Sequence, residues 1–451
     1  MENTVGLQTG SIKVMDVKAS RRALIGGSLG NLLEWYEFAI YAYMAPIIGP
    51  LFFDTSNPAT AILATFSIYA LAFFLRPVGA IVFGRWADRV GRRTSLVWII
   101  SMMTLATTLI GLLPTYAVIG IWAPVLLTLC RIVQGLCSGG EMGGAVSLMV
   151  ESAPEGKRGL YGSWSFAGTT LGYVLGGGVA TLLATVYSSE ELVSTGWRIG
   201  FLLAAPMGVI ILYLRMSIDE TPYFKEISAP SNTIATHEAG LGASAVAQAP
   251  AATAASQHPA VVLLISVGIV VVWNAVGHVF MVGMPSFLKH FYGMTFKDSY
   301  LLALVTGLVA ALSMPLFGAL SDKVGRKPIL VTATTGVLVL SYPLYSMMGA
   351  GFNLSILALA IAGILIGMLG GPMPALLCER FRTRNRATGV ALSYALGVAV
   401  FGGTAPFVVT WIANATGDPL AAAYYTIACA VVSLIALSFA KGKTHIRVMK
   451  N

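Results

Sequence analysis

The chain has 451 residues, 56% of them hydrophobic and only 10% charged, whereas a soluble domain carries about 25% charged residues; this composition belongs in a bilayer and excludes an ordinary soluble enzyme or binding module. The formal charge of +9 is not a nucleic-acid footprint, because the basic residues sit in short islands beside apolar runs, the pattern of membrane orientation. Cys130, Cys137, Cys378 and Cys429 all lie in apolar stretches without a CxxC pair or a His/Cys cluster, so neither a disulfide framework nor a metal site is expected.

A membrane span takes about 20 mostly apolar residues. Twelve stretches qualify, near 23–45, 58–83, 95–114, 118–149, 160–187, 197–216, 259–289, 298–320, 328–349, 354–378, 387–413 and 419–440. An even number places both termini on one side. Most of the 28 Lys and Arg residues fall on the side that holds the termini. The opposite side has only Lys289 and Lys297, with Arg198 at a span edge, and Arg76 and Arg131 lie within spans. The positive-inside rule then makes both ends cytoplasmic. The first 20 residues are polar and the first apolar run is long, so no cleavable leader is expected. Ser228 to Pro259 is rich in Ala, Ser, Thr and Pro and reads as a flexible linker, with Asp219 to Phe224 before it expected along the membrane surface. The organisation expected is a tail at 1–22, six spans within 23–217, a cytoplasmic linker at 218–258, six spans within 259–440 and a tail at 441–451.

The halves repeat. From Gly84 the chain reads G-R-W-A-D-R-V-G-R-R, and about half a chain later, from Gly318, it reads G-A-L-S-D-K-V-G-R-K. Glu151 and Arg158 after the fourth span are echoed by Glu379 and Arg386 after the tenth.

Only Glu34, Glu37 and Glu141 are carboxylates well inside spans. An ionised group at the bilayer centre costs about 2.5–3.5 kcal/mol by insertion scales, so each is expected to have a partner or a task. Asn31, Glu34, Glu37 or Phe38, and Tyr41 recur at helical spacing and form a polar stripe that should face a water-filled cavity. At about 1.5 Å per residue, Glu34, Arg76 and Glu141 lie roughly 12–18 Å from the basic ends of their spans and can meet at one level, with Arg131 nearer the outer half. Arg76 and Arg131 are expected to offer a substrate carboxylate a bidentate fork that does not deprotonate. Glu34, Glu37 or Glu141 is expected to carry a coupling proton, because desolvation favours the neutral acid and an approaching cation the ionised one. The alternative is that Arg76–Glu141 or Arg131–Glu34 are static clips between helices. His278 and Asn274, four apart in the seventh span near Trp273, and Tyr394 and Tyr69 are further candidates for the cavity wall. Gly370 to Pro374 and Phe401 to Phe407 are expected to break or bend spans ten and eleven. No phosphate-binding Gly-x-x-x-x-Gly-Lys-[Ser/Thr] loop occurs, so no ATP site or other cofactor is expected.

The twin loops, the six-plus-six spans and Arg131-x-x-Gln134-Gly135 resemble the major facilitator superfamily. Gly30-Asn31-x-x-Glu34-Trp35-Tyr36, Arg76-Pro77-x-Gly79, Gly139-Gly140-Glu141-x-Gly143-Gly144 and the run Phe401 to Phe407 are similar to its metabolite:proton symporter branch, which includes bacterial citrate, α-ketoglutarate, shikimate and proline/betaine permeases. The resemblance runs from about Leu24 to Ala440; where that branch usually has Asp, this chain has Glu37. It implies an all-α membrane protein of twelve transmembrane helices in two pseudo-symmetric six-helix bundles, monomeric and in the bacterial inner membrane. It further implies a proton-driven symporter working by alternating access, with Gln134 among its substrate-site residues. The loop residues Gly84, Asp88, Arg89, Gly91, Arg92, Asp322, Lys323 and Arg326, with Glu151, Arg158, Glu379 and Arg386, would act as a gate latch. A small organic acid is the expected cargo because of the two intramembrane arginines. A zwitterionic osmolyte such as proline or betaine is the alternative, and an intramembrane enzyme, channel or sensor a remote one.

Overall fold

The computed structural model describes residues 31–54, 57–90, 92–140, 146–147, 149–150, 153–154, 156–216, 258–381 and 386–440. Among these residues the fold is twelve long helices. They are α1 (31–43, continuing as Ala45–Phe52), α2 (Pro58–Val90), α3 (Arg92–Leu112), α4 (Trp122–Cys137), α5 (Arg158–Val186) and α6 (Ser189–Tyr213), then α7 (Pro259–Tyr292), α8 (Phe296–Val324), α9 (Arg326–Met348), α10 (Phe352–Arg380), α11 (Thr388–Thr416) and α12 (Pro419–Phe439). Among the described residues, nine stretches are long and apolar enough to cross a membrane by themselves. The exceptions are α1, which is split, and the apolar parts of α3 and α4, Val97–Leu112 and Trp122–Cys137, which are shorter.

Two boundaries differ from expectation. The first span was expected to stop near 45, but the helix turns at Met44 and continues to Phe52. Pro46 is tolerated because it sits in the first turn of the new segment, where its missing N–H has no partner to lose. The fourth helix ends at Cys137 in a short 3₁₀ turn, Ser138–Gly140; the rest of that span lies partly outside the described residues. The expected linker and the Asp219 to Phe224 segment also lie outside them.

Between helices in lipid, small residues let backbones approach and gain dispersion contacts. A Cβ on Gly135 would lie 2.3 Å from the Ala72 carbonyl oxygen, and one on Gly139 would lie 2.0 Å from that of Arg76; this close seam sets α4 and the turn that follows it directly against α2. Across the midline, α5 packs along α8, where a Cβ on Gly159 would lie 2.4 Å from the Gly318 carbonyl. The Gly370 to Pro374 run breaks α10 as expected, with a turn at Gly371 and Pro372. In α11 a π turn, Val398–Gly402, precedes the restart at Ala405. A π turn in α7, His278–Gly283, was not foreseen; it places His278 at the centre of the molecule.

Candidate functional site

The buried arginines are both enclosed by rings of the first six helices. Arg76 on α2 forms an ion pair with Glu34 on α1 at 3.0 Å. Its guanidinium lies 4.6–4.8 Å from the ring centres of Phe73, Phe38 and Trp35. Arg131 on α4 also lies against Phe38, 4.6 Å from that ring centre and 4.2 Å from that of Tyr41. Rings at this range attract a desolvated guanidinium by their quadrupole, so Phe38 serves two cations. Arg131 donates to Gln134 at 2.7 Å, Gln134 donates to the Thr107 hydroxyl at 2.5 Å, and Thr107 donates to Glu37 at 2.6 Å. Thr104 donates to the other Glu37 oxygen at 3.3 Å. Glu37 is therefore held by hydroxyls, whereas Glu34 is held by an arginine. Both carboxylates line one small cavity between α1, α3 and the end of α4, with Cys137 and Ser138.

A second cavity lies between the two sets of six helices. It is lined by Trp35, Thr169, Thr170 and Tyr173 from the first set and by Trp273, Gly277, His278, Met281, Ile366 and Tyr394 from the second. Trp35, Tyr173 and His278 form one ring cluster with centroids 5.2–6.2 Å apart. The His278 Nδ1 lies 2.8 Å from the Asn274 carbonyl and its Nε2 lies 3.3 Å from the Tyr173 hydroxyl, so His278 bridges α7 to α5. Among the described residues, no Asp, Glu, Lys or Arg lines this cavity.

Hydrogen bonds join the two halves at both ends of the seam. At one end Asp322 accepts the backbone N–H groups of Gly159 and Leu160 at 2.8 and 3.0 Å, in the first turn of α5. A helix N-terminus has unpaired N–H groups and positive partial charge, and so suits an anion. Arg326 pairs with Asp322 at 2.7 Å and with Glu379 at 3.3 Å. Gly325, at φ 98°, makes the turn from α8 into α9 in a conformation that favours glycine. About 33 Å away along α8, the Tyr300 hydroxyl donates to the Tyr43 carbonyl at 2.8 Å. That carbonyl is free because the turn at Met44 redirects the Ile47 N–H to the Met44 oxygen.

Several expected partnerships are corrected by this geometry. Arg131–Glu34 is not the clip: Arg76 takes Glu34 and Arg131 takes Gln134, while the Arg76–Glu141 alternative falls on a residue outside the described ones. The stripe on α1 does not face one cavity. Asn31 donates to Thr169 on α5 and accepts from Trp35, and Tyr41 donates to the Thr65 carbonyl while covering Arg131. Gln134 links Arg131 to Thr107, and Asn274 donates to the Val270 carbonyl; neither lines the central cavity, whereas His278 and Tyr394 do. Lys323 is exposed, Arg158 opens α5, and Arg386 donates to the Cys378 carbonyl at 3.0 Å. Glu141, Glu151 and Gly91 lie outside the described residues, as do the side chains of Asp88, Arg89 and Arg92; Gly84 is within the last turns of α2. Sequence reasoning missed Thr104 and Thr107 as the partners of Glu37, and Thr169, Thr170 and Tyr173 as the α5 wall. The α5 residues did leave a signal: Ser165, Thr169 and Tyr173 are spaced by four on an otherwise apolar, glycine-rich helix.

A sequence model described as the Major Facilitator Superfamily matches residues 28–406. The proline/betaine transporter of Salmonella typhimurium is 33% identical over 432 residues, covering 94% of this chain and 84% of that protein. The glycine betaine/proline/ectoine/pipecolic acid transporter of Dickeya dadantii is 32% identical over 433 residues, covering 95% and 85%. The ectoine/proline transporter of Corynebacterium glutamicum is 33% identical over 449 residues, covering 97% and 87%. Among solved structures, the xylose transporter from E. coli in a partially occluded inward-open conformation superposes with a TM-score of 0.75 at 18% identity, covering 95% of this chain and 100% of that one; it supports the fold. The chain belongs to the major facilitator superfamily and is a membrane transporter, not an enzyme.

Proposed function

We infer that this transporter takes up a small zwitterionic osmolyte of the proline or betaine class together with protons, by alternating access across the bacterial inner membrane with both termini cytoplasmic. The observation that carries the choice of cargo is the central cavity, walled by Trp35, Tyr173, Trp273 and Tyr394 and lined by no Asp, Glu, Lys or Arg among the described residues. The arginines that favoured an organic acid do not line this cavity: Arg76 pairs with Glu34 among three rings, and Arg131 donates to Gln134 beside Tyr41. A di- or tricarboxylate would bring net negative charge into this cavity, which no Lys or Arg lines among the described residues, and burying an unpaired charge is costly. A zwitterion brings none, and aromatic faces attract its ammonium end. The names of the relatives point the same way.

In this reading Glu37 carries the coupling proton. Its two hydroxyl partners can serve either protonation state, since a hydroxyl both donates and accepts. Glu34 balances Arg76. The Asp322 contact to α5 latches the cytoplasmic face, and Tyr300–Tyr43 holds the outer face. Proteoliposomes with an imposed pH gradient test the whole scheme. Labelled proline or glycine betaine should accumulate when the outside is acidic, and preloaded unlabelled osmolyte should accelerate labelled entry. Counterflow driven by citrate or α-ketoglutarate, with none by proline or betaine, would restore the organic-acid reading.

A further inference from the structure

The polar groups around the central cavity are not equally engaged. On the wall from the first six helices every donor has a partner. Trp35 donates its indole N–H to Asn31 at 3.0 Å, Tyr173 meets His278, Thr169 donates to the Ser165 carbonyl and Thr170 to that of Phe166. What this wall offers a ligand is ring faces. On the opposite wall, the Trp273 indole nitrogen and the Tyr394 hydroxyl are buried and have no hydrogen-bond partner among the described residues. The two side chains are 6% and 3% exposed, and their ring centres lie 6.0 Å apart. Phe166 stacks on Trp273 at 4.2 Å and packs on Tyr394 at 5.8 Å, fixing both rings. Gly370 faces the indole nitrogen, and a Cβ there would lie 2.8 Å from it, so a side chain at this position would cover the donor.

Buried donors are rarely left unpaired, and an exception calls for a ligand or an ordered water. Two neutral donors suit the carboxylate of a substrate that is itself neutral overall: they satisfy its oxygens without adding charge to the cavity. We propose that Trp273 and Tyr394 form the carboxylate subsite of the central cavity, and that the Trp35–Tyr173 wall takes the ammonium end. The assignment rests on the osmolyte reading above and adds to it the direction in which the zwitterion lies. It also makes the second set of helices, and neither buried arginine, responsible for telling a carboxylate-bearing osmolyte from its carboxylate-free analogue.

Glycine betaine and choline separate the two ends, since they share the trimethylammonium group and only betaine has the carboxylate. Both are used as competitors of labelled glycine betaine in proteoliposomes containing the full chain. Wild-type protein should prefer betaine. In Tyr394→Phe and in Trp273→Phe the apparent affinity for betaine should fall about tenfold or more, the effect of one lost hydrogen bond to a charged group, while that for choline stays. Gly370→Ala should act like Trp273→Phe without altering the indole. Trp35→Leu should weaken both competitors together and keep their ratio. The ratio does not depend on how much protein folds, so a poorly expressed variant still reports. If betaine competes in the wild type and the betaine/choline ratio survives all three C-terminal-half variants, the subsite is wrong and the free donors serve water alone. If neither proline nor betaine competes in the wild type, the osmolyte reading fails and the subsite with it.

Discussion

Replacing Asp322 with Asn should unlatch the end of the seam where α8 meets α5. The carboxylate accepts two N–H groups of the opposite half, from Gly159 and Leu160, and its side chain is only 7% exposed. Its pair with Arg326 is four residues away in the same half and survives opening, so it does not count towards the latch. Hydrogen bonds to a charged group are worth about 1.5–3 kcal/mol each when buried, and an anion at a helix N-terminus about 0.3–2 kcal/mol. These overlap, because the same N–H groups supply both. Asparagine keeps one acceptor oxygen and loses the charge, so a loss of about 1–2 kcal/mol is expected, a five- to thirtyfold shift towards the open form. Spin labels at the exposed positions Lys157 and Val324, with Cys130, Cys137, Cys378 and Cys429 replaced by serine, report the distance across this end by pulsed EPR. A longer-distance population should grow in Asp322→Asn. An unchanged distribution would mean that Asp322 only shapes the α8–α9 turn.

Gly159→Ala should shift the same distance distribution in the same direction by sterics alone, since its Cβ would lie 2.4 Å from the Gly318 carbonyl and 2.5 Å from the Ser321 hydroxyl; retention of the short distance would show that the helices slide without cost. Tyr300→Phe removes the donor to the Tyr43 carbonyl and should favour opening of the other end by about 1 kcal/mol, read as faster alkylation of a cysteine placed at Phe53; an unaltered rate would discard Tyr300 as a clasp. Glu34→Gln leaves the buried Arg76 charge uncompensated and should destabilise the detergent-solubilised protein by about 3–5 kcal/mol. Adding Arg76→Gln should recover much of that in thermal unfolding, and a double variant no better than the single would show that the pair is not the source.

The fold was legible in the sequence because lipid imposes a one-dimensional rule: each backbone polar group must be satisfied within its own helix, so spans show as apolar runs and loops as charged islands. The breaks in α10 and α11 were legible for the same reason, from glycine and proline. The break in α1 was less so, because Pro46 sits in a first helical turn, where proline is tolerated, and the turn falls on Met44. The intramembrane charges were also legible as a set. Their pairing was not: Glu34, offered as the alternative partner of Arg131, pairs with Arg76 instead, and Arg131 takes Gln134. Distance along a helix axis fixes depth but leaves azimuth open, and a residue three positions away can face a different neighbour, as Glu34 and Glu37 do.

The sequence by itself determined the environment, the number of helices, the repeat and the handful of charged residues that the bilayer centre would have to tolerate. Tertiary structure alone decided which of them reach the cavity. Arginines that looked available for an anion are enclosed by Phe38, Phe73, Trp35 and Tyr41 and do not line the central cavity, while uncharged Trp273 and Tyr394 do line it, with donors that have no hydrogen-bond partner among the described residues. The physical reason is that a charge in low dielectric takes the nearest available partner, and which partner is nearest depends on how the helices pack.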